Sequence, residues 1–159
     1  MNSLTLYSYR RCPFAIRVRM VLEEKEISYT LKEENLAELS AELLSLHPEG
    51  RVPLLVDERD GQRHVVYQST IITEYLDESF ANSGERLMPE SPQAQAQVRL
   101  WTYWCDHLFK PELDRYKYDL KTLSPAEVEE LKTRLHGLLS HWNSALEKTG
   151  FLVGSKLTL

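Results

Sequence analysis

Apolar and polar residues change period several times along the chain, and each change marks an element. "SLTLYS" (3 to 8) alternates apolar and polar positions and predicts a short strand. From Cys12 to about Glu24, Phe14, Val18, Val21 and Leu22 recur at helical spacing, and Pro13 suits a first helical turn, where its missing N–H would have had no partner. Cys12 is thereby expected at the helix N-cap. "ISYTLK" (27 to 32) alternates again and predicts a second strand; the polar stretch after it holds a short helix ending near His47. "VPLLVD" (52 to 57) and "HVVYQ" (64 to 68) flank the turn "DERDG" and predict an antiparallel hairpin. "STIITEYLDESF" (69 to 80) reads as a helix capped by Ser69. The first half is therefore a βαβ unit, a helix, then ββα.

Periodicity lapses over "ANSGERLMPESP", where small residues and prolines accumulate. The expected division is a domain over 1–80, a linker over 81–90 and an all-helical part over 91–159. Ser91-Pro92 opens a long helix, expected to bend at Pro111 and continue to about Leu120. Ser124 and Glu127 have capping-box spacing, and the helix they begin should run to about Lys148, stopped by Gly150.

With 159 residues and 42% hydrophobic content, the chain is large enough to bury a real core. A formal charge of −5 argues against nucleic acid as a partner. No apolar run reaches membrane-spanning length and the first residues lack a secretion signal, so a cytoplasmic protein without membrane contact is expected. Cys12 and Cys105 lie far apart, which favours reduced thiols over a disulfide. The histidines have no metal-ligand spacing, and no metal is expected.

The candidate chemistry centres on Cys12. A thiol at a helix N-terminus faces unpaired N–H groups, and Arg10, Arg11, Arg17 and Arg19 crowd the same ten positions, so the thiolate is favoured. Ala15 stands where a second thiol would make a dithiol motif, so a mixed disulfide on Cys12 needs an external thiol to release it, and glutathione is the obvious one. Cys105 could serve as an internal resolver, but among apolar and aromatic residues on the long helix it reads as core. Val52-Pro53 sits before a strand, where the residues alone favour an ordinary trans proline; a cis bond there would present the Val52 backbone to an extended peptide. Gln68 and Ser69 offer an amide, a hydroxyl and a helix N-terminus to a carboxylate.

"CPFAIRVRMVLEEKEI", "HPEGRVPLL" and "VYQSTIITEYLDE", in this order, resemble the glutathione transferase superfamily, most of all its omega class and bacterial relatives. The resemblance implies a thioredoxin-like α/β domain followed by an all-α domain, with Cys12 as nucleophile. It further implies that Phe14 lines the thiol pocket, that Val52 and cis-Pro53 bind the cysteinyl backbone, and that Gln68 and Ser69 hold the γ-glutamyl end. Glutathione would be the co-substrate of thiol transfer or of dehydroascorbate reduction, a small disulfide or electrophile the acceptor, and a homodimer the assembly. Trp104 and His107 on the long helix are candidates for the acceptor site. Two alternatives stand beside thiol transfer: an interaction or regulatory protein on the same fold, and conjugation of glutathione to electrophiles. Gln68 departs from the acidic residue common in omega proteins, and "FLVGSKLTL" resembles a segment that the family usually continues into further helices, so a truncated C-terminal domain is expected.

Overall fold

The computed structural model describes residues 2–159. The contacts divide them into two compact units, the first up to Leu87 together with Leu159 and the second Met88–Thr158.

The first unit runs β1 (Ser3–Ser8), α1 (Pro13–Glu24), β2 (Thr30–Glu33), α2 (Ala41–Leu46), β3 (Leu54–Arg59), β4 (Gln62–Tyr67) and α3 (Ser69–Ser79). Its sheet has the order β2-β1-β3-β4, with β1 parallel to β2 and antiparallel to β3, the mixed pattern of a thioredoxin-like domain. The period of two divides the strand residues between two cores. Leu4, Leu6 and Leu55 face one side, where Val18, Val21 and Leu22 of α1 and Ile72 and Leu76 of α3 cover them. Tyr7, Leu54 and Val56 face the other, under Leu43 of α2.

Several boundaries differ from expectation. β2 begins at Thr30, not Ile27, because the chain first leaves α1 through Glu26 at φ 52 and seats Ile27 in the core, its N–H on the carbonyl of Leu22 at 2.9 Å. β3 starts after Pro53 and continues to Arg59, leaving Asp60 (φ 54) and Gly61 (φ 75) as a two-residue turn. Positive φ at both positions matches the twist of the flanking strands, and glycine takes it without strain. β4 in turn ends at Tyr67, and Gln68 with φ 71 is the N-cap of α3, so Ser69 is the first residue of the helix and not its cap.

The second unit comprises α4 (Pro92–Trp104), a π-helical turn (Cys105–Phe109), α5 (Lys110–Tyr118) and α6 (Pro125–Thr149). Ser91 caps α4, its Oγ accepting the Ala94 N–H at 3.2 Å. The long helix expected through Leu120 is thus interrupted and ends at Tyr118. The widened turn falls just before Pro111, which lacks an N–H and whose ring crowds the carbonyl four residues back in a regular helix. Cys105, in this turn, is half-buried and is not a core residue. At α6 the capping box forms as the spacing predicts: Glu127 Oε2 accepts the Ser124 N–H at 2.8 Å, and Gly150 ends the helix at φ 79. Trp101, Trp104, Phe109, His141 and Trp142 form an aromatic cluster within this unit.

Candidate functional site

Hydrogen bonds tie down the loop from β1 to α1 along its length. Ser8 at the strand end accepts the Glu34 N–H on its carbonyl (2.7 Å), and Glu33 Oε1 accepts the Arg10 N–H (2.6 Å). Arg19 reaches back from α1 to donate to Ser8 Oγ (2.7 Å) and to the Arg10 carbonyl (2.9 Å). The Cys12 N–H closes the turn onto the Tyr9 carbonyl at 2.9 Å. Cys12 is extended (φ −75, ψ 116), and its carbonyl takes the first helical hydrogen bond, from Ile16 N–H at 2.9 Å. It is the N-cap residue, with Pro13 as the first residue of α1. The thiol is half-buried and lies 3.9 Å from the Val52 carbonyl oxygen, to which it donates.

Val52-Pro53 is a cis peptide bond. Together with Cys12 and Phe14 it lines a cleft of about 390 Å³, whose wall also includes Gln68 and Ser69 at the start of α3 and Leu36, Leu39, His47, Gly50 and Arg51 from the segments flanking α2. Ser69 is 5% exposed and accepts a hydrogen bond from the Arg17 guanidinium at 3.1 Å. Gln68 is held at a φ that few residues other than glycine adopt, a local cost of about 1–3 kcal/mol that the sheet and α3 on either side impose.

Sequence reasoning misses the α2 side of the cleft. His47 caps the C-terminus of α2, is 4% exposed and rests its ring 4.7 Å from that of Tyr67. Its Nδ1 accepts the Glu49 N–H at 3.0 Å, which leaves the ring hydrogen on Nε2. Burial pushes the imidazole below its ordinary value, with Arg51 adding to the effect and Glu49 opposing it. Arg51, exposed, pairs with Glu49 at 2.9 Å. Gly50 sits at φ 57, a backbone conformation that a side chain strains; the only atoms a Cβ would crowd are side-chain ends, Leu44 Cδ2 at 2.8 Å and Leu39 Cδ1 at 3.3 Å. The run "HPEGRVPLL" holds the available signal, because its first and fifth residues bracket the turn that delivers Val52; metal-ligand spacing among the histidines does not reveal it.

Six of the expected site residues, Cys12, Phe14, Val52, Pro53, Gln68 and Ser69, therefore meet at one cleft. Trp104 and His107 belong to the second unit: Trp104 packs 5.0 Å from Trp142 and 5.5 Å from His141, and His107, exposed, lies 4.3 Å from Tyr103. Among the described residues no group of three or more His, Cys, Asp or Glu is placed to hold a metal, and no helix is long and apolar enough to cross a membrane.

Residues 2–78 match the family described as glutathione S-transferase, N-terminal domain. The pig (Sus scrofa) protein named glutathione S-transferase omega-1 is 30% identical over 158 residues, covering 98% of this chain and 62% of the relative. The chain belongs to the glutathione transferase superfamily. Within it the chain is omega-like: the crystal structure of glutathione transferase Omega 3C from Trametes versicolor superposes with a TM-score of 0.84 at 26% identity, over 98% of this chain and 67% of that one. A Haemophilus influenzae protein named stringent starvation protein A homolog is 33% identical over 135 residues, 85% of this chain and 61% of the relative. This transferase-superfamily chain thus spans about three fifths of the length of the two curated relatives (62% and 61%).

Proposed function

We propose that the protein is a cytoplasmic glutathione-dependent thiol transferase or reductase that works through Cys12 alone. The observation that carries this reading is the half-buried Cys12 sulfur at a helix N-terminus, opening on a cleft of tripeptide size. The Cys12 thiolate attacks the glutathionyl sulfur of a mixed disulfide; the new S–S bond joins Cys12 to glutathione, and the other thiolate leaves with the electron pair of the broken bond. A second glutathione thiolate then attacks that enzyme disulfide, forming oxidised glutathione and restoring Cys12. Ala15 cannot resolve the intermediate, so the co-substrate must.

In this reading the cysteinyl backbone pairs with Val52 as an added strand, and Gln68, Ser69 and the N-terminus of α3 take the γ-glutamyl end. Arg51 and His47, whose ring hydrogen is on Nε2, line the same cleft and are proposed to take the glycyl carboxylate. Phe14, in the same cleft, is proposed to line the thiol pocket. Trp104 and His107 are proposed to meet the acceptor, a small disulfide or electrophile, and the assembly is proposed to be a homodimer.

Treating the protein with oxidised glutathione should add one glutathione, mapped to Cys12 by mass spectrometry. Cys12→Ala should lose thiol transfer from a small glutathionylated disulfide by at least about a thousandfold while still binding glutathione. Undiminished turnover in that variant would refute the mechanism. The likeness to the Haemophilus influenzae protein supports a second reading, a regulatory module on the same fold. Under that reading Cys12 would react once and never cycle.

A further inference from the structure

Arg17 is not part of the cleft wall, yet it touches that wall twice. Its guanidinium lies 5.8 Å from the centre of the Phe14 ring, and its Nη1 donates to Ser69 Oγ at 3.1 Å across 52 residues of sequence. Phe14 and Ser69 both line the cleft. The cation is therefore bonded to the first residue of α3 and rests against Phe14 without itself lining the cleft.

A guanidinium has only donors, so in this pair the Ser69 oxygen must be the acceptor. The hydroxyl hydrogen of Ser69 is then committed elsewhere, and among the described residues no acceptor takes it. Ser69 is 5% exposed, so the cleft is the direction left to it. Beside it, the first helical hydrogen bond of α3 is made by Ile72 N–H to the Gln68 carbonyl, leaving the N–H groups of Ser69, Thr70 and Ile71 without helical acceptors. A buried hydroxyl whose hydrogen has no acceptor among the described residues, orphan N–H groups and a cation bonded to the same oxygen all favour an anionic oxygen in the cleft. Gln68, the side chain nearest in sequence, is neutral and supplies no charge of its own.

We propose that Arg17 is a positioning residue of this site: by donating to Ser69 Oγ it fixes that hydroxyl as a donor to the α-carboxylate of a bound γ-glutamyl group. This rests on the glutathione reading above and adds to it a charge relay, Arg17 to Ser69 to carboxylate, in which each hydrogen bond polarises the next. The carboxylate thus gains the electrostatic benefit of an arginine that never contacts it. Arg17→Lys keeps one charge but presents a single ammonium on a flexible stem in place of the planar fork, so it should restore the effect only in part.

The test compares two ligands on the full chain by calorimetry: glutathione, and γ-aminobutyryl-cysteinylglycine, which lacks only the α-carboxylate. Wild type should bind glutathione about tenfold or more tighter than the analogue, the size expected of a hydrogen bond to a charged group. Arg17→Gln should weaken glutathione about tenfold and leave the analogue's affinity unchanged, and Arg17→Lys should fall between. In a Ser69→Ala background, Arg17→Gln should cost less than about twofold more, because the relay is already cut. Equal weakening of both ligands by Arg17→Gln, or preserved preference for glutathione in that variant, overturns the proposal while leaving the glutathione reading intact. Failure of wild type to bind either ligand overturns the glutathione reading and the relay with it. Should Arg17→Gln not fold, Arg17→Lys carries the same test through the same ratio.

Discussion

Lys25 Nζ lies 3.0 Å from Asp77 Oδ1, and both side chains are completely buried. The pair joins the residue that follows α1 to α3, and further bonds reach the segment beyond: Lys25 donates to the Glu85 carbonyl at 3.1 Å, and Asp77 Oδ1 accepts the Leu87 N–H at 2.9 Å. A buried ion pair costs desolvation on both sides, so removing one partner strands the other. Lys25→Met and Asp77→Leu should each lower the unfolding free energy by about 3–5 kcal/mol. The double variant should recover part of this loss but not all, since the Leu87 N–H stays orphaned. Urea denaturation of the three variants checks it; additive losses would contradict the account.

Gly84 approaches the same place from the chain that follows α3. At φ 60, a Cβ there would lie 2.7 Å from Lys25 Cα and 3.0 Å from the Glu24 carbonyl, both backbone and unable to step aside. Gly84→Ala should cost more than about 1 kcal/mol. Gly137 lies inside α6, and nothing stands within 4 Å of the place its Cβ would take, so Gly137→Ala should show the opposite sign, stabilising by about 0.5–1 kcal/mol. Thermal melts of the two alanine variants decide whether local space or mere residue type governs.

Gln68 combines strain with a role in the cleft, and the two can be separated. Its φ of 71 suits glycine, so Gln68→Gly should be more stable than Gln68→Ala by about 1 kcal/mol, since alanine keeps the strain and removes the amide. Both should bind glutathione more weakly than wild type. If alanine proves the more stable of the two, the backbone at this cap is not under strain.

His47 should shape the acid side of the stability curve. Its folded pKa lies below the ordinary 6.5, so the unfolded chain binds a proton that the folded chain refuses. The stability at stake is fully present above about pH 6.5 and is lost as pH falls through the folded value. Glu42, held low by hydrogen bonds from Lys32 and Tyr7, and Glu127, held low by Ser124, lose their contributions only at lower pH, below the ordinary 4.5, so the window is separable. His47→Asn should therefore flatten the fall in urea midpoint between about pH 7.5 and 5.5. An unchanged slope would assign that fall to other groups.

The legible part of the molecule is whatever repeats or caps. Val18, Val21 and Leu22 announce α1, and Ser124 with Glu127 announces the start of α6 to the residue. Cys12 can be placed because a strand, a cysteine and a proline in that order leave the thiol few stations other than an N-cap. What escapes are features decided by tertiary packing: the positive φ of Glu26 that delays β2, the transfer of the α3 cap from Ser69 to Gln68, and the π turn before Pro111. His47 escapes for a different reason. A histidine at a helix end has no pattern of its own, and only the fold of the turn from His47 to Val52 brings it to the cleft.

The outer strand β4 ends the sheet with Gln62, Arg63 and His64 all exposed, Arg63 lying 3.6 Å from Glu58. A foreign extended segment laid along that rim would have to strip water from a guanidinium and two polar neighbours before gaining a single ladder bond. The rim thus discourages edge-to-edge stacking, and a crowded solution of this protein should resist forming fibrils from its own sheet.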